Sequence, residues 1–154
     1  MLTNARSLSP KIHSLIDLFE ELELDLSIIT ESWLADSERL AEDVIDLEYG
    51  TDLCILYKNR PLKPNSRRRT AGGGVAVVYN KTSANFKEIK IPGNRFELVC
   101  VKGKIQNIEN QIMVLGIYVE PKTLAADFAE LRDLVSEVIT KERSASWNAF
   151  PDWR

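Results

Sequence analysis

The sequence predicts an α+β fold with mainly antiparallel strands, and three observations lead there. An amphipathic helical stripe stands near each end of the chain. Short β-like runs, separated by Asn-, Pro- and Gly-containing turns, fill the space between them. The 154 residues are 44% hydrophobic and 28% charged, the balance of one ordinary globular domain with no room for a second of full size.

The elements follow in order. Leu2 to Ala5 reads as a short strand. Ser9-Pro10 reads as a helix start, with Ser as N-cap and Pro at the first helical position, and Ile12, Leu15, Ile16, Phe19 and Leu22 form one apolar stripe behind it. Leu26 to Thr30 is an apolar strand that ends on Glu31. A strand, a helix and a strand in that order predict a crossover connection, with both strands in one sheet. Residues 35–52 are acidic without a clear period and read as loop with a short helix. Leu53 to Tyr57 reads as a strand, and the basic, proline-containing run from Lys58 to Thr70 as a surface loop. Four further runs, Gly74–Tyr79, Phe86–Ile91, Phe96–Val101 and Ile112–Tyr118, predict an antiparallel meander. Thr123 is placed to cap a second helix whose stripe is Leu124, Phe128, Leu131, Val135, Val138 and Ile139. Each helix, having one apolar face, is expected to lie against a sheet.

The net charge of −3 conceals a swing along the chain. Residues 1–57 carry 13 acidic and 3 basic side chains, residues 58–104 carry 2 and 12, and residues 105–154 carry 8 and 5. A basic middle of that strength predicts a surface that attracts polyanions. No apolar run is long enough to cross a bilayer and the first residues lack the apolar core of a signal peptide, so an intracellular protein without membrane partners is the expectation. Cys54 and Cys100 sit in apolar stretches and read as buried free thiols; without a CxxC or clustered His they make no zinc site.

Four phrases stand in order. They are Asn4-Ala-Arg-Ser-Leu8 followed by Lys11, Ile28-Ile-Thr-Glu-Ser-Trp-Leu34, Gly72-Gly-Gly-Val-Ala-Val77, and Gly116-Ile-Tyr-Val119 with the helix behind it. In this order and spacing the chain resembles the amino-terminal half of the endonuclease domain of non-LTR retrotransposons, within the endonuclease/exonuclease/phosphatase superfamily. The resemblance implies a partial four-layer α/β/β/α sandwich, namely the first sheet and its helices, over residues 1–140, with a divergent tail over 141–154. It implies Mg²⁺-assisted phosphodiester hydrolysis in DNA, with Mn²⁺ as the alternative ion, nuclear action, and nicking of target DNA for retrotransposition.

Residue by residue, the resemblance makes Glu31 the metal-ligand glutamate, Asn4 the amide beside metal and scissile phosphate, and Tyr118 a phenol that donates toward the phosphate. Without it, Glu31 reads as a solvated strand-end acid, Asn4 as a turn residue and Tyr118 as a core tyrosine with a wet tip. Arg6 and Ser7 are expected to support the site, and Trp33 to pack as core behind Glu31. The Gly72–Gly74 run is followed by no Lys-Ser/Thr pair, so it reads as a tight turn rather than a phosphate loop. Arg60, Lys63, Arg67, Arg68 and Arg69, with Lys58, are candidates for DNA-backbone contact, which is salt-dependent and blind to sequence.

The family's second half carries an Asp-x-Asn pair and a Ser-Asp-His triplet, and neither occurs in these 154 residues. The single histidine, His13, lies on the first helix and does not replace the missing one. A chain without those groups is expected to be nearly inert as a nuclease. It is also expected to leave the first sheet's inner face bare, with an open edge, marginal stability and self-association as consequences. Two other readings are a non-catalytic nucleic-acid-binding module built on the basic loop 58–69, and a superfamily branch acting on phosphorylated lipids or sugars. The Asn-Ala-Arg-Ser-Leu and Thr-Glu-Ser-Trp wording favours the nuclease over the last of these.

Overall fold

A computed structural model describes residues 1–34, 52–60, 72–92 and 94–144. Its strands are β1 (Leu2–Asn4), β2 (Leu26–Thr30), β3 (Leu53–Lys58), β4 (Val75–Asn80), β5 (Ala84–Glu88), β6 (Glu97–Ile105) and β7 (Ile112–Tyr118); its helices are α1 (Ile12–Glu21) and α2 (Ala125–Ser144). The chain forms two compact units, Met1–Tyr118 and Val119–Arg154.

In the first unit the crossover expected from the sequence is present. β1 and β2 pair in parallel, Leu2 opposite Ile28 and Asn4 opposite Thr30, with α1 between them in the chain. β4 then lies antiparallel between β2 and β3, giving the sheet order β1-β2-β4-β3. β4 reads Val-Ala-Val-Val-Tyr-Asn, apolar on both faces, because it is buried on both: a strand with one wet face would alternate. One face of the sheet, with Ile29, Ile55, Ala76 and Val78, packs on Ile12, Leu15, Ile16 and Phe19 of α1. The opposite face, with Val75, Val77 and Tyr79, packs on Ala84, Phe86, Val99 and Val101.

Those last residues belong to a second sheet of order β5-β6-β7, antiparallel throughout. This corrects two expectations. The meander holds for β5, β6 and β7, whereas the Gly74–Tyr79 run joins the first sheet between β2 and β3. The inner face of the first sheet is not bare over the described strands, because β5–β7 fold across it. The sequence shows why the change of sheet falls at residues 81–83: Asn80 Oδ1 accepts from both the backbone N–H and the hydroxyl of Thr82, a local turn that lifts the chain off β4.

Helix boundaries also differ from expectation. Ser9–Lys11 is a 3₁₀ turn with Pro10 in its first positions, and Ser9 makes no side-chain cap. In the second unit only Leu131 and Val138 of the predicted stripe are buried; Phe128 is exposed, as is Leu124, which precedes α2, and the Thr123 hydroxyl donates back to the Glu120 carbonyl instead of forward into the helix. Among the described residues no helix is long and apolar enough to cross a membrane.

Candidate active site

The strand registers bring one row of residues to a common end of the first unit. Asn4 lies opposite Thr30, Thr30 opposite Val75, and Val75 opposite Lys58, so the exits of β1, β2 and β3 meet the start of β4. On the second sheet Glu97 and Tyr118 face each other across the start of β6 and the end of β7. Side-chain contacts join the two sheets there. The Tyr118 hydroxyl donates to Glu31 Oε1 at 3.2 Å, and Arg60 Nε donates to Glu97 Oε1 at 2.6 Å.

The backbone at this end is unusual. Arg6, Ser7, Glu31 and Trp33 have φ of 46°, 85°, 52° and 52°, and Gly72, Gly73 and Gly74 all have positive φ. A non-glycine residue held there costs about 1–3 kcal/mol and persists only where its surroundings over-determine it. Here they do. Ser7 N–H and Leu8 N–H donate to the carbonyls of Glu31 and Ser32, while Ser32 N–H and Trp33 N–H donate to those of Gly74 and Gly73. The lead-in to β4 and the exit from β1 thus hold the Glu31–Trp33 bend from either side. A residue larger than Gly74 would be strained, since the backbone is already at positive φ and a Cβ would stand 2.7 Å from Ser32 Oγ, which would have to shift.

The bend explains where two residues go. Glu31 sits half-buried at the strand tip, with Oε1 on Tyr118 and Oε2 without a partner among the described residues. Trp33, expected in the core, is instead 42% exposed; its left-handed φ swings it outward, where its indole lies against Gly72. Asn4 is exposed on the neighbouring strand, its Oδ1 accepting from Arg6 N–H at 3.2 Å, so its amide NH₂ is the end left to donate. The Lys11 ammonium donates to the Ala5 carbonyl and ties down the same loop.

Electrostatics at the phenol follow from this packing. Burial, then the hydrogen bond and charge of Glu31, push the Tyr118 hydroxyl above its ordinary pKa, with Arg60 opposing and Glu97 adding to the rise. The phenol is therefore a firm donor at neutral pH. Glu97 has both oxygens engaged, by Arg60 and by Gly74 N–H. Among the described residues no three His, Cys, Asp or Glu side chains cluster closely enough to hold a metal ion between them. One half-buried carboxylate with a spare oxygen beside an amide suits Mg²⁺, which keeps several waters and takes one or two carboxylates, rather than an ion that needs a full protein cage.

Of the residues singled out in the sequence, Glu31 and Tyr118 are in contact and Asn4 is at the adjoining strand end. Arg60 is at this end too, but turned inward on Glu97, its side chain only 16% exposed. Lys63, Arg67, Arg68 and Arg69 lie outside the described residues. Glu97 was missed in the sequence. Its one signal is an acid opening a strand that is otherwise apolar through Val101, where a solvated charge would be unremarked.

No family model and no curated protein matches the sequence. Solved structures do. The 3′-5′ exonuclease NExo from Neisseria meningitidis aligns with a TM-score of 0.56 at 16% identity, over 90% of this chain and 52% of that one. The 3′ phosphatase form of NExo from Neisseria, bound to product DNA hairpin, aligns with a TM-score of 0.55 at 16% identity, over 90% and 51%. The chain spans about half the length of these structures. At such identity the likeness is one of fold alone, consistent with the mixed and the antiparallel sheet described above.

Proposed function

We propose that this chain is the amino-terminal half of an endonuclease/exonuclease/phosphatase-type DNA phosphodiesterase, of the retrotransposon endonuclease branch and with its sandwich architecture. The observation that carries the reading is the Tyr118–Glu31 hydrogen bond, which joins two motifs 87 residues apart in the sequence at one strand-end cluster. The signature wording at Asn4–Leu8 and Ile28–Leu34 supports the branch, and the DNA-bound NExo structure supports the substrate.

In this reading Glu31 would hold Mg²⁺, with Mn²⁺ as a substitute. When bound, the ion supplies charge stabilisation to a phosphodiester. The Asn4 NH₂ would donate a hydrogen bond to a phosphate oxygen, and the Tyr118 hydroxyl, which has one proton, would do the same by exchanging Glu31 Oε1 for the phosphate. None of the three is assigned to take a proton from water: the phenol is held protonated, the amide is neutral, and Glu31 would be the ion's ligand. The chain alone is accordingly a binding half that orients a phosphate without activating a nucleophile, in nuclear DNA transactions by analogy with the branch.

The test uses the full 154-residue chain, labelled for NMR, with a short DNA duplex. Duplex is expected to shift the resonances of Asn4, Glu31 and Tyr118 in the presence of Mg²⁺ and far less in its absence, and supercoiled plasmid is expected to stay intact. Nicking that Glu31→Ala abolishes would disprove the incompleteness. Shifts confined to residues 58–69, steeply salt-dependent and indifferent to Mg²⁺, would favour the second reading, a non-catalytic binding module on the basic loop.

A further inference from the structure

Arg60 reads from the sequence as one more cation of a basic loop. The structure gives it a different setting. Its Nε donates to Glu97 Oε1 at 2.6 Å, and the side chains of the pair are 16% and 9% exposed. Its guanidinium carbon stands 5.8 Å from the centre of the Tyr118 ring, within cation–π range. Its guanidinium also fills the space where a Cβ on Gly73 would go, so the backbone there is flat against it. The other oxygen of Glu97 accepts from Gly74 N–H. One part-buried ion pair therefore touches three things at once: the ring of Tyr118, the glycine lead-in to β4, and, through that lead-in's carbonyls, the Ser32–Trp33 segment that follows Glu31.

A buried ion pair contributes little net stability over apolar packing, so its presence asks for another reason. The planar guanidinium fork supplies one, because it can stack on a ring and hold a carboxylate at a fixed angle together. We infer that Arg60 and Glu97 are a positioning pair that fixes the Tyr118 ring and the Glu31 bend relative to each other, making the phenol–carboxylate contact a built feature of the site. Arg60 thereby acts within the fold rather than as a phosphate-backbone contact.

The meaning of this pair for catalysis rests on the reading of the Glu31–Tyr118 end as a phosphodiester site, but its positioning role is testable apart from that. The full chain carrying ¹³Cζ-labelled tyrosine gives one signal per phenol, with Tyr118 assigned by Tyr118→Phe and the signature of a lost hydrogen bond given by Glu31→Ala, which leaves no acceptor. Arg60→Lys, which keeps charge but not the planar fork, and Glu97→Gln are expected to move the Tyr118 signal most of the way to its Glu31→Ala position. The Tyr79 signal, buried elsewhere on β4, is expected to stay put. A Tyr118 signal unmoved in folded Arg60→Lys protein overturns the inference. Should Glu97→Gln fail to fold, Arg60→Lys alone decides. Mn²⁺ affinity measured on the same wild-type and Glu31→Ala samples judges the metal reading separately: equal affinities would sink that reading and leave the positioning result standing.

Discussion

Glu31 and Gly74 face each other across the end of the first sheet, and the site depends on what each residue's backbone tolerates. Gly74, at φ of 85° with Ser32 Oγ where a Cβ would go, would be strained as alanine. Gly74→Ala is expected to destabilise the chain by about 1–3 kcal/mol, from the left-handed backbone and the crowding together. Denaturant melts read this as a lower midpoint at unchanged slope, and an unchanged midpoint would contradict the described turn. The phenols give a pH prediction. Burial raises both Tyr79 and Tyr118 above the ordinary phenol value near about 10, helped by a Cys54 hydrogen bond in the first and by Glu31 in the second. A group whose folded pKa exceeds its unfolded one stabilises the fold fully below the unfolded value and loses that contribution as pH climbs through the folded value. Stability is thus expected to be insensitive to these phenols up to about pH 10 and to fall above it. Melts of wild type and a Tyr79→Phe, Tyr118→Phe double variant at pH 8 and pH 11 check this: the gap between them should narrow in alkali, and a constant gap would refute it.

At the scale of elements, β4 is the strand both layers share. Its Ala76 and Val78 meet the α1 side and its Val75 and Val77 meet the second sheet, so damage to either layer should report on both. Phe86→Ala on β5, which also removes an edge-to-face contact with Tyr79 at 5.3 Å, is expected to cost about 3–5 kcal/mol. Ile29→Ala on β2 is expected to cost about 2–5 kcal/mol, and each should melt the Met1–Tyr118 unit in one transition. Separate transitions for α1 and β5–β7 would contradict a shared core. The sequence made the individual elements legible because their apolar periods are clean: β2 and β7 run where the pattern placed them. It did not make the partnering of β4 legible. A run apolar on both faces says that a strand is central, not which strands flank it, and its neighbour in the chain went to the other sheet. Trp33 escaped for a related reason, since hydrophobicity predicts burial and a left-handed bend overrides it.

At the scale of the whole molecule, the two-sheet arrangement follows from pairings between segments far apart in the chain, and only the order of the signature phrases signalled them. Composition and spacing alone left Glu31, Asn4 and Tyr118 with ordinary readings; the resemblance grouped them, and the strand registers bring them to one end of the unit. Glu97 and the inward Arg60 were beyond sequence reading, because an ion pair between residues 37 apart leaves no periodic trace. The covered inner face removes one ground for self-association, and the edge strands of the two sheets remain as the other. Sedimentation equilibrium checks the expectation: a mass that rises with concentration is expected, and a constant monomer mass would refute it.

The proposed grip of the Glu31 end on a divalent ion is tested by trace Mn²⁺ added to the ¹⁵N-labelled full chain, because paramagnetic broadening falls steeply with distance from the ion. The signals of Asn4, Glu31 and Tyr118 are expected to broaden first, excess Mg²⁺ to restore them, and Glu31→Gln to abolish the effect. Broadening centred elsewhere in the chain, or unchanged by Glu31→Gln, would contradict it.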